Sequence, residues 1–217
     1  MDKQRLIIIS AGSFGREVRD IAEGIQLMQG DKCPWKFAGF LDDRAEILAG
    51  TNSVDASILC SPADYLPSNS DLFICAIGTP SIRNKYAEII RSKGGKFATL
   101  IEPSSRIGRV GKIGEGTMIG PFCAISCDLS IGHDTMITAH VTIGHDATIG
   151  HSCHIAAYSF VGGGAVIGNE VTLHPHAVVL PKISIGDGAT IGAGAVVISN
   201  VPAGQTVFGM PARKVAV

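Results

Sequence analysis

The chain has 217 residues, of which 46% are hydrophobic and 17% charged, with a formal net charge of −1. This length suits one large or two modest domains, and the near-neutral charge gives no reason to expect nucleic acid as a general partner. No apolar run reaches the roughly 18–20 residues that span a bilayer, and the apolar stretch near the start is too short for a signal peptide.

Residues 1–101 are predicted to alternate between strands and helices. Buried strands are expected at residues 5–10, 36–41, 72–78 and 97–100, and helices at about 16–29 and 81–92. On the first helix, Val18, Ile21, Ala22, Ile25 and Met28 share one face. This alternation predicts a small parallel sheet with helices on its faces, which is a Rossmann-like α/β domain.

Ligands of such sheets bind beyond the carboxyl ends of the strands. Those ends carry a turn with Gly12, Ser13 and Phe14, then Asp42, then Gly78. The turn reads GxxG and not GxGxxG, so it is compatible both with a simple strand-to-helix turn and with a phosphate site at the helix N-terminus. Asp42 is either an acceptor for ribose hydroxyl groups or a solvated turn residue.

A six-residue period dominates the rest of the chain. From Ile107 to Val197 an aliphatic residue recurs at every sixth position, and a small residue usually follows it. A fixed hexapeptide period predicts a parallel β-helix over residues 102–217. Cys123 and Cys153 fall on its inward positions, and none of the six cysteines forms a CxxC pair, so we expect core thiols in a reducing, cytoplasmic protein.

Three hexads make one triangular coil, so residues 18 apart are expected to stack in columns about 4.8 Å apart. Six of the seven histidines fall in four of these columns: Phe122, His140, Tyr158 and His176; Glu115, His133, His151, Asn169 and Asp187; Arg109, Cys127, His145, Gly163 and Pro181; Met118, Met136, His154, Thr172 and Thr190. All seven histidines lie between His133 and His176, and residues 113–181 contain no Lys or Arg. Histidine suits proton transfer near neutral pH, so the cluster indicates a catalytic surface, although each histidine singly is compatible with a structural role.

A metal site is a weaker alternative. The γ-class carbonic anhydrases use this kind of β-helix and bind a metal with three histidines, two of which are five residues apart, as His140 and His145 are. The third would fall two coils before His140, where this sequence has Ser104. Because three ligands must converge on one ion, the incomplete set leads us to expect no metal.

The hexad run, the motif Ile143-Gly144-His145-Asp146 and the closing sequence GMPAR at residues 209–213 resemble the hexapeptide-repeat acyltransferases. The sequences SAGSFGREV (10–18), FLDD (40–43) and AIGT (76–79) make the chain similar to the subgroup of sialic acid O-acetyltransferases and bacillosamine-pathway N-acetyltransferases. The resemblance covers nearly the whole chain. It implies a left-handed β-helix, a homotrimer, acetyl-CoA in the groove between adjacent β-helices, and a nucleotide-linked amino sugar on the N-terminal domain.

The resemblance also implies a role for individual residues. The general base falls on His145 and its acidic neighbour on Asp146. Contacts to acetyl-CoA fall on His154, Gly163 and Ala193, with Arg213 and Lys214 as basic residues at the closing end. Contacts to the sugar nucleotide fall on Gly12, Ser13, Phe14, Asp42, Gly78 and Arg83.

Some features leave the acceptor open. Ser10 and Ser13 replace glycines that are usual in the family's turn, and Thr138 stands where some amino-sugar enzymes carry Asn. The expected reaction is acetyl transfer from acetyl-CoA to the amine of a nucleotide-linked amino (dideoxy) sugar in bacterial surface glycan biosynthesis. The alternatives are an O-acetyltransferase that acts on sialic acid or another sugar hydroxyl, and a scaffold trimer without activity. Because adjacent strand residues point to opposite faces, His145 and Asp146 can cooperate only near a coil corner.

Overall fold

The computed structural model describes residues 3–109 and 111–215, which form two compact units, Met1–Thr99 and Leu100–Val217. No helix in the described ranges is both long enough and apolar enough to cross a bilayer.

The first unit is a five-stranded, fully parallel sheet with helices in its connections. Its strands are β1 (Gln4–Ile9), β2 (Trp35–Leu41), β3 (Ile58–Cys60), β4 (Asp71–Cys75) and β5 (Lys96–Phe97), in the order β3-β2-β1-β4-β5. The helices are α1 (Ser13–Gln29) and α2 (Pro80–Arg91), and a 3₁₀ turn spans Gly30–Lys32. The predicted α/β alternation is confirmed. The sequence pattern missed only β3, whose three residues are all half-buried and too few to show a period.

The centre of the first unit is the strand β1. Its residues from Leu6 to Ile9 are completely buried, as expected for a strand covered on both faces in a parallel sheet. Helix α1 packs through Gly15, Val18, Ala22 and Ile25. Met28, which we expected on that face, is largely exposed because the helix ends one residue later.

Gly15 makes the closest approach of α1 to the sheet. A Cβ atom at this position would lie 2.0 Å from the carbonyl oxygen of Ser10, a residue that itself has a φ of 80°. Only glycine leaves room for that carbonyl. The helix begins at Ser13, three residues before the predicted start.

The second unit is a parallel β-solenoid with three sheets, which we name its faces. The strands of the first face are Leu100–Ile101, Met118–Ile119, Met136–Ile137, His154–Ile155, Thr172–Leu173, Thr190–Ile191, Thr206–Phe208 and the antiparallel Arg213–Lys214. Those of the second face are Arg106–Ile107, Ala124–Ile125, Thr142–Ile143, Phe160–Val161, Val178–Val179 and Val196–Val197. Those of the third face are Lys112–Ile113, Ser130–Ile131, Thr148–Ile149, Val166–Ile167 and Ser184–Ile185. The solenoid thus begins at Leu100, whereas the sequence pattern placed its start at 102.

The 18-residue register predicted from the hexads is confirmed. Ile125 pairs with Ile107 on one side and with Ile143 on the other, and the same shift holds along the three faces. The aliphatic anchors from Ile119 to Val197 are only 0–3% exposed and form the core together with Cys123 and Cys153. The aliphatic residues that repeat in the sequence therefore form one continuous core that runs through the stacked coils.

Each coil turns its corners through residues in the left-handed region. Ten non-glycine residues at these positions have φ between 53° and 62°: Phe122, Asp128, Asp134, His140, Asp146, Ser152, Tyr158, Glu170, His176 and Lys182. We name each corner after the face it follows, so that His140 lies on the first corner, Asp146 on the second and Asp134 on the third. Side chains at these corners do not alternate between opposite faces as they do along a strand, so consecutive side chains can approach each other there.

We expect Gly15→Ala to lower the free energy of unfolding of the first unit by about 3 kcal/mol, because the new methyl group collides with the Ser10 carbonyl. The control is Gly24→Ala in the same helix, where a Cβ meets nothing within 4 Å. That variant should gain about 0.5–1 kcal/mol, because alanine is the better helix former. Denaturant unfolding followed by helical circular dichroism checks both values, and equal stability of the two variants would contradict the packing described here.

Candidate functional site

A cleft of about 280 Å³ opens at the carboxyl ends of β1 and β2 in the first unit. Its lining includes Ser10, Asp42, Asp43, Arg44 and Tyr86. The sheet order places β2 and β4 on opposite sides of β1, so the strand order reverses here. In open α/β sheets such a reversal is the usual position of a ligand.

Asp42 is buried in this cleft and organises its floor. One carboxylate oxygen accepts a hydrogen bond from the Ala11 backbone N–H at 2.9 Å, and Arg44 donates to both oxygens through Nε and Nη2 at 2.9 and 3.0 Å. Burial by itself would raise the pKa of Asp42, but the hydrogen bonds from Arg44 and Ala11 outweigh it and hold the pKa below its usual value. Most of the acceptor capacity of Asp42 is thus already used within the protein.

Asp43, Arg44 and Tyr86 were not singled out from the sequence as site residues. The phenol of Tyr86 donates to Asp43 Oδ2 at 2.7 Å, and this bond, with burial, raises the pKa of Tyr86. Both Asp43 and Arg44 are exposed at the cleft. The signal in the sequence was the run Asp42-Asp43-Arg44 directly after a buried strand, but the pattern alone did not show which carboxylate is engaged.

The other predicted contacts in the first unit lie in two places, at the start of α1 and in the loop after β4. Gly12 caps α1, and Ser13 and Phe14 are in its first turn, where Ser13 is exposed. A Cβ on Gly12 would lie 3.9 Å from Nη2 of Arg44, so the guanidinium group reaches the start of this helix. Gly78 is exposed in the loop after β4.

Arg83 does not lie where we expected it. Its side chain is completely buried, and Nη1 donates to the backbone carbonyls of Ile77 and Gly78 at 2.5 and 3.2 Å. A buried guanidinium group needs such partners, and these are contributed by the loop itself. Arg83 therefore supports the loop that carries Gly78, and its contact with a sugar nucleotide stays a prediction.

The second corner of the solenoid carries a His–Asp pair. His145 Nδ1 lies 2.6 Å from Asp146 Oδ2, and both side chains are about two-thirds exposed. Asp146 has a φ of 58°, so the pair sits at a turn, where consecutive side chains can meet. The carboxylate holds the Nδ1–H tautomer, which leaves Nε2 as the free acceptor.

The neighbours of His145 leave its ring accessible. Gly163 occupies the next position in its column, and a Cβ there would lie 2.9 Å from His145 Nε2. A cleft of about 430 Å³ beside the ring is lined by Arg106, Ser126 and Cys127, among others. Gly163, one of the predicted site residues, therefore keeps space for the histidine.

A second His–Asp pair lies on the third corner and was not predicted. His133 Nδ1 is 2.7 Å from Asp134 Oδ2, and Asp134 is completely buried. The His133 ring stacks on His151 at 4.8 Å with an interplanar angle of 2°. The available signal was the motif Ile-Gly-His-Asp, which occurs at residues 131–134 as well as at 143–146.

The remaining predicted residues are spread over the solenoid. His154 is half-buried on the first face, which is the side of the triangular coil opposite the second corner that carries His145. Ala193 is exposed on the first corner. Arg213 and Lys214 are exposed on the closing strand, beside a cleft of about 220 Å³. Within one chain the structure does not bring His154 and His145 together.

Across residues 3–109 and 111–215 no group of three or more His, Cys, Asp or Glu side chains is arranged to hold a metal ion. Ser104, at the position of the missing third histidine, accepts a hydrogen bond from the Phe122 backbone N–H at 3.0 Å and so supports the first corner.

The two units of the chain match two different family models. Residues 5–90 match the model of the PglD N-terminal domain. Residues 111–145 and 164–199 match the model of the bacterial transferase hexapeptide of six repeats. The chain therefore combines a PglD N-terminal domain with a run of bacterial transferase hexapeptide repeats.

Solved structures of similar fold can be aligned with nearly the whole chain. A histidine-to-asparagine variant of perosamine N-acetyltransferase from Caulobacter crescentus, in complex with CoA and GDP-perosamine, is 23% identical, with 98% of this chain and 97% of that chain covered and a TM-score of 0.85. WeeI from Acinetobacter baumannii AYE is 25% identical, with 97% and 99% covered and a TM-score of 0.71. The acetyltransferase domain of PglB from Neisseria gonorrhoeae FA1090, in complex with acetyl coenzyme A, is 23% identical, with 99% and 100% covered and a TM-score of 0.63. Comparison with curated protein sequences gives no match.

We expect Asp42→Asn to destabilise the first unit by about 1–2 kcal/mol at neutral pH, because it weakens the bonds to Arg44 and Ala11. The folded-state pKa of Asp42 lies below its ordinary value of 3.8, so its stabilising effect is present above that pH. It is lost as the pH falls through the folded-state pKa. The difference between wild type and variant should therefore shrink on acidification below about pH 4.

Unfolding curves measured at several pH values check this expectation. The control is Asp31→Asn, an exposed change on the 3₁₀ turn that should stay within about 0.5 kcal/mol of wild type. A difference between wild type and Asp42→Asn that grows at acid pH would show that the sign is wrong.

Proposed function

We propose that this protein is an acetyl-CoA-dependent sugar N-acetyltransferase that transfers an acetyl group to the amine of a nucleotide-linked amino sugar. The observation that carries the proposal is the His145–Asp146 pair, held at an open corner of a hexapeptide solenoid. Two of the solved structures of similar fold are a perosamine N-acetyltransferase with CoA and GDP-perosamine bound and an acetyltransferase domain with acetyl coenzyme A bound, which supports the same chemistry here. In this proposal the first unit binds the sugar nucleotide and the solenoid binds acetyl-CoA.

The reaction is a direct transfer. The sugar amine attacks the thioester carbonyl carbon, the carbon–sulfur bond breaks, and CoA leaves as the thiol. His145 Nε2 accepts the proton that the amine must lose, and the Asp146 carboxylate on Nδ1 stabilises the resulting imidazolium. The imidazolium then gives this proton to the departing sulfur, so CoA leaves as the thiol and the histidine returns to its neutral form. The oxyanion of the tetrahedral intermediate takes a hydrogen bond from a backbone N–H of a neighbouring coil.

The surroundings favour His145 over His133 as this base. Both rings border a cleft, but the His145 ring faces Gly163, whereas the His133 ring is covered on one side by His151. His145 is also the more exposed of the two, at 66% against 41%. A base needs room for the reacting nitrogen within hydrogen-bond reach, and the arrangement around His145 leaves that room.

In the cleft of the first unit, Asp42, Asp43 and Arg44 would each have a different role in binding the sugar nucleotide. Asp42 is largely occupied by Arg44 and Ala11, so its role is to hold Arg44 in position. Asp43 has acceptor capacity beyond its bond to Tyr86 and is placed to receive ribose hydroxyl groups. Arg44, close to Gly12 and the first turn of α1, is placed to meet a phosphate.

The proposed contacts to acetyl-CoA require more than one chain. His154 and His145 lie on opposite sides of one coil, so the acetyl group can meet both only if His154 comes from a second copy. This supports the homotrimer, with acetyl-CoA between adjacent solenoids. Gly163 and Ala193 would flank the pantetheine arm, and Arg213 and Lys214 would meet the phosphates. A cytoplasmic location, where acetyl-CoA is available, completes the proposal.

We expect His145→Ala to lower kcat by about 10²–10⁴-fold, because general base catalysis contributes that much. His133→Ala is the matched control, since it removes a histidine from an identical motif with the same Asp contact. It should change kcat by less than about threefold if it removes no proton acceptor from the reaction. Thiol release from acetyl-CoA measures both rates, and the reverse ranking would transfer the role of base to His133.

The nature of the acceptor is a separate prediction. A nucleotide-linked amino sugar should release thiol from acetyl-CoA, and the corresponding sugar nucleotide with a hydroxyl in place of the amine should not. Free sialic acid tests the alternative O-acetyltransferase under the same conditions. Thiol release with sialic acid alone would replace the N-acetyltransferase assignment, and no release with any acceptor, together with no binding of acetyl-CoA, would favour a scaffold.

A further inference from the structure

The cleft beside His145 has a permanent positive charge at the end opposite the histidine. Arg106, Ala124 and Thr142 are the outward residues of three consecutive strands of the second face, and all three are exposed in this cleft. The strands pair directly with one another, so Arg106 lies two strand spacings, roughly 10 Å, from the coil of His145. A ligand in the cleft can therefore meet a proton acceptor at one end and a cation at the other.

The side chain of Arg106 is not engaged within the protein. Its backbone N–H donates to the carbonyl oxygen of Cys123 at 2.9 Å, which fixes the strand. Within the part of the chain that the structure describes, no residue shares a hydrogen bond or ion pair with the guanidinium group. None of the described residues that line the cleft is Asp or Glu. The planar donors of this arginine are thus available for a phosphate or a carboxylate.

The middle of the cleft offers space and hydroxyl groups. The central coil contributes only small side chains: Ala124, Ser126 and Cys127. Together with the neighbouring coils they enclose about 430 Å³. The hydroxyl groups of Ser126 and Thr142 can each donate and accept hydrogen bonds, as the hydroxyl groups of a sugar do. This part of the cleft therefore suits a sugar ring.

The rest of the second face determines which way such a ligand points. Beyond Thr142 the outward column is uncharged and consists of Phe160, Val178 and Val196. On the opposite side of the cleft, Arg109 follows Arg106 on the same coil, is exposed, and adds a second positive charge. An anionic group on the ligand is therefore stabilised only at the Arg106 end.

We propose that this cleft is the subsite for the acceptor sugar and that Arg106 binds the anionic group of the acceptor. In a nucleotide-linked amino sugar this group is the diphosphate on the anomeric carbon. Its contact with Arg106 directs the amine, at the other end of the sugar, towards Nε2 of His145. The inference rests on the proposed function for the acceptor and the base, and it adds the residue that orients the sugar between them.

The same contact makes an anionic acceptor the preferred class of substrate. A sugar without a phosphate or carboxylate leaves the guanidinium group in water and loses a charge-assisted hydrogen bond. Sialic acid carries a carboxylate, so the shared chemistry is a sugar with an anionic group at one end. The experiments below therefore include both kinds of acceptor.

Arg106→Ala tests the contact in the reaction, because the side chain is exposed and its removal leaves the core intact. We expect kcat/KM for the nucleotide-linked amino sugar to fall about 10–100-fold, as for the loss of a hydrogen bond to a charged group. Arg106→Lys keeps the charge without the paired donors and should recover part of this loss. The matched control is Lys112→Ala, which removes the exposed cation at the same strand position on the third face and should retain the wild-type value.

Calorimetric titration tests the contact without the reaction. CoA is present throughout, so that the phosphate contacts proposed for the donor are filled. An amino-sugar 1-phosphate should bind wild type and Lys112→Ala about 10–100-fold more tightly than Arg106→Ala. The methyl glycoside of the same sugar, which lacks the phosphate, should bind all three proteins equally. Added salt should reduce the difference seen with the 1-phosphate, because the contact is electrostatic and exposed.

Equal affinity of wild type and Arg106→Ala for the 1-phosphate would overturn the inference, and so would an equal loss of affinity for the methyl glycoside. Binding that depends on Arg106 in a protein that releases no thiol from acetyl-CoA would contradict the proposed function and support this contact. If Arg106→Ala lowers kcat/KM for sialic acid alone, the anion contact holds and the nucleotide-linked acceptor is replaced.

Discussion

The stacking of each coil on the next, 18 residues later, is the constraint on which the rest of the solenoid depends. Backbone N–H groups of one coil donate to carbonyls of the following coil, as from Gly132 to Ile149 and from Gly144 to Val161, both at 2.8 Å. Because this ladder permits no slippage without exposing the aliphatic anchors, every side chain has a set neighbour above and below it. The column neighbours of His145 and the stacked rings of Phe122, His140, Tyr158 and His176 are consequences of that register.

The sequence was most informative where this register applies. The aliphatic period predicted the coils, the inward cysteines and the column of Phe122, His140, Tyr158 and His176, because each coil repeats the same local geometry. The same reasoning predicted that His145 and Asp146 could meet only at a corner, and Asp146 indeed has a left-handed φ. A period converts local sequence into tertiary contacts, which is why so much of the second unit could be derived.

The first unit shows why the rest could not be derived. Its contacts join segments that share no common sequence period. Arg83, on α2, donates to the carbonyls of Ile77 and Gly78. Asp42 accepts hydrogen bonds from Arg44 and Ala11. Neither pairing has a signature in spacing. Asp42 and Arg83, predicted as ligand contacts, thus also support a turn and a loop, and their contact with a ligand stays a prediction. Asp43, which has acceptor capacity remaining at the cleft, was recognised only from the hydrogen bonds.

The two His–Asp pairs show where function is decided in such a fold. His133 and His145 share the motif, the corner geometry and the Nδ1 contact, at 2.7 and 2.6 Å. What separates them is the residue 18 positions later, because His151 covers the first ring and Gly163 leaves the second open. A motif in a solenoid is therefore incomplete without its column. Two copies of the same four-residue motif can therefore differ in how accessible the histidine ring is, because the next residue in the column is a histidine in one case and a glycine in the other.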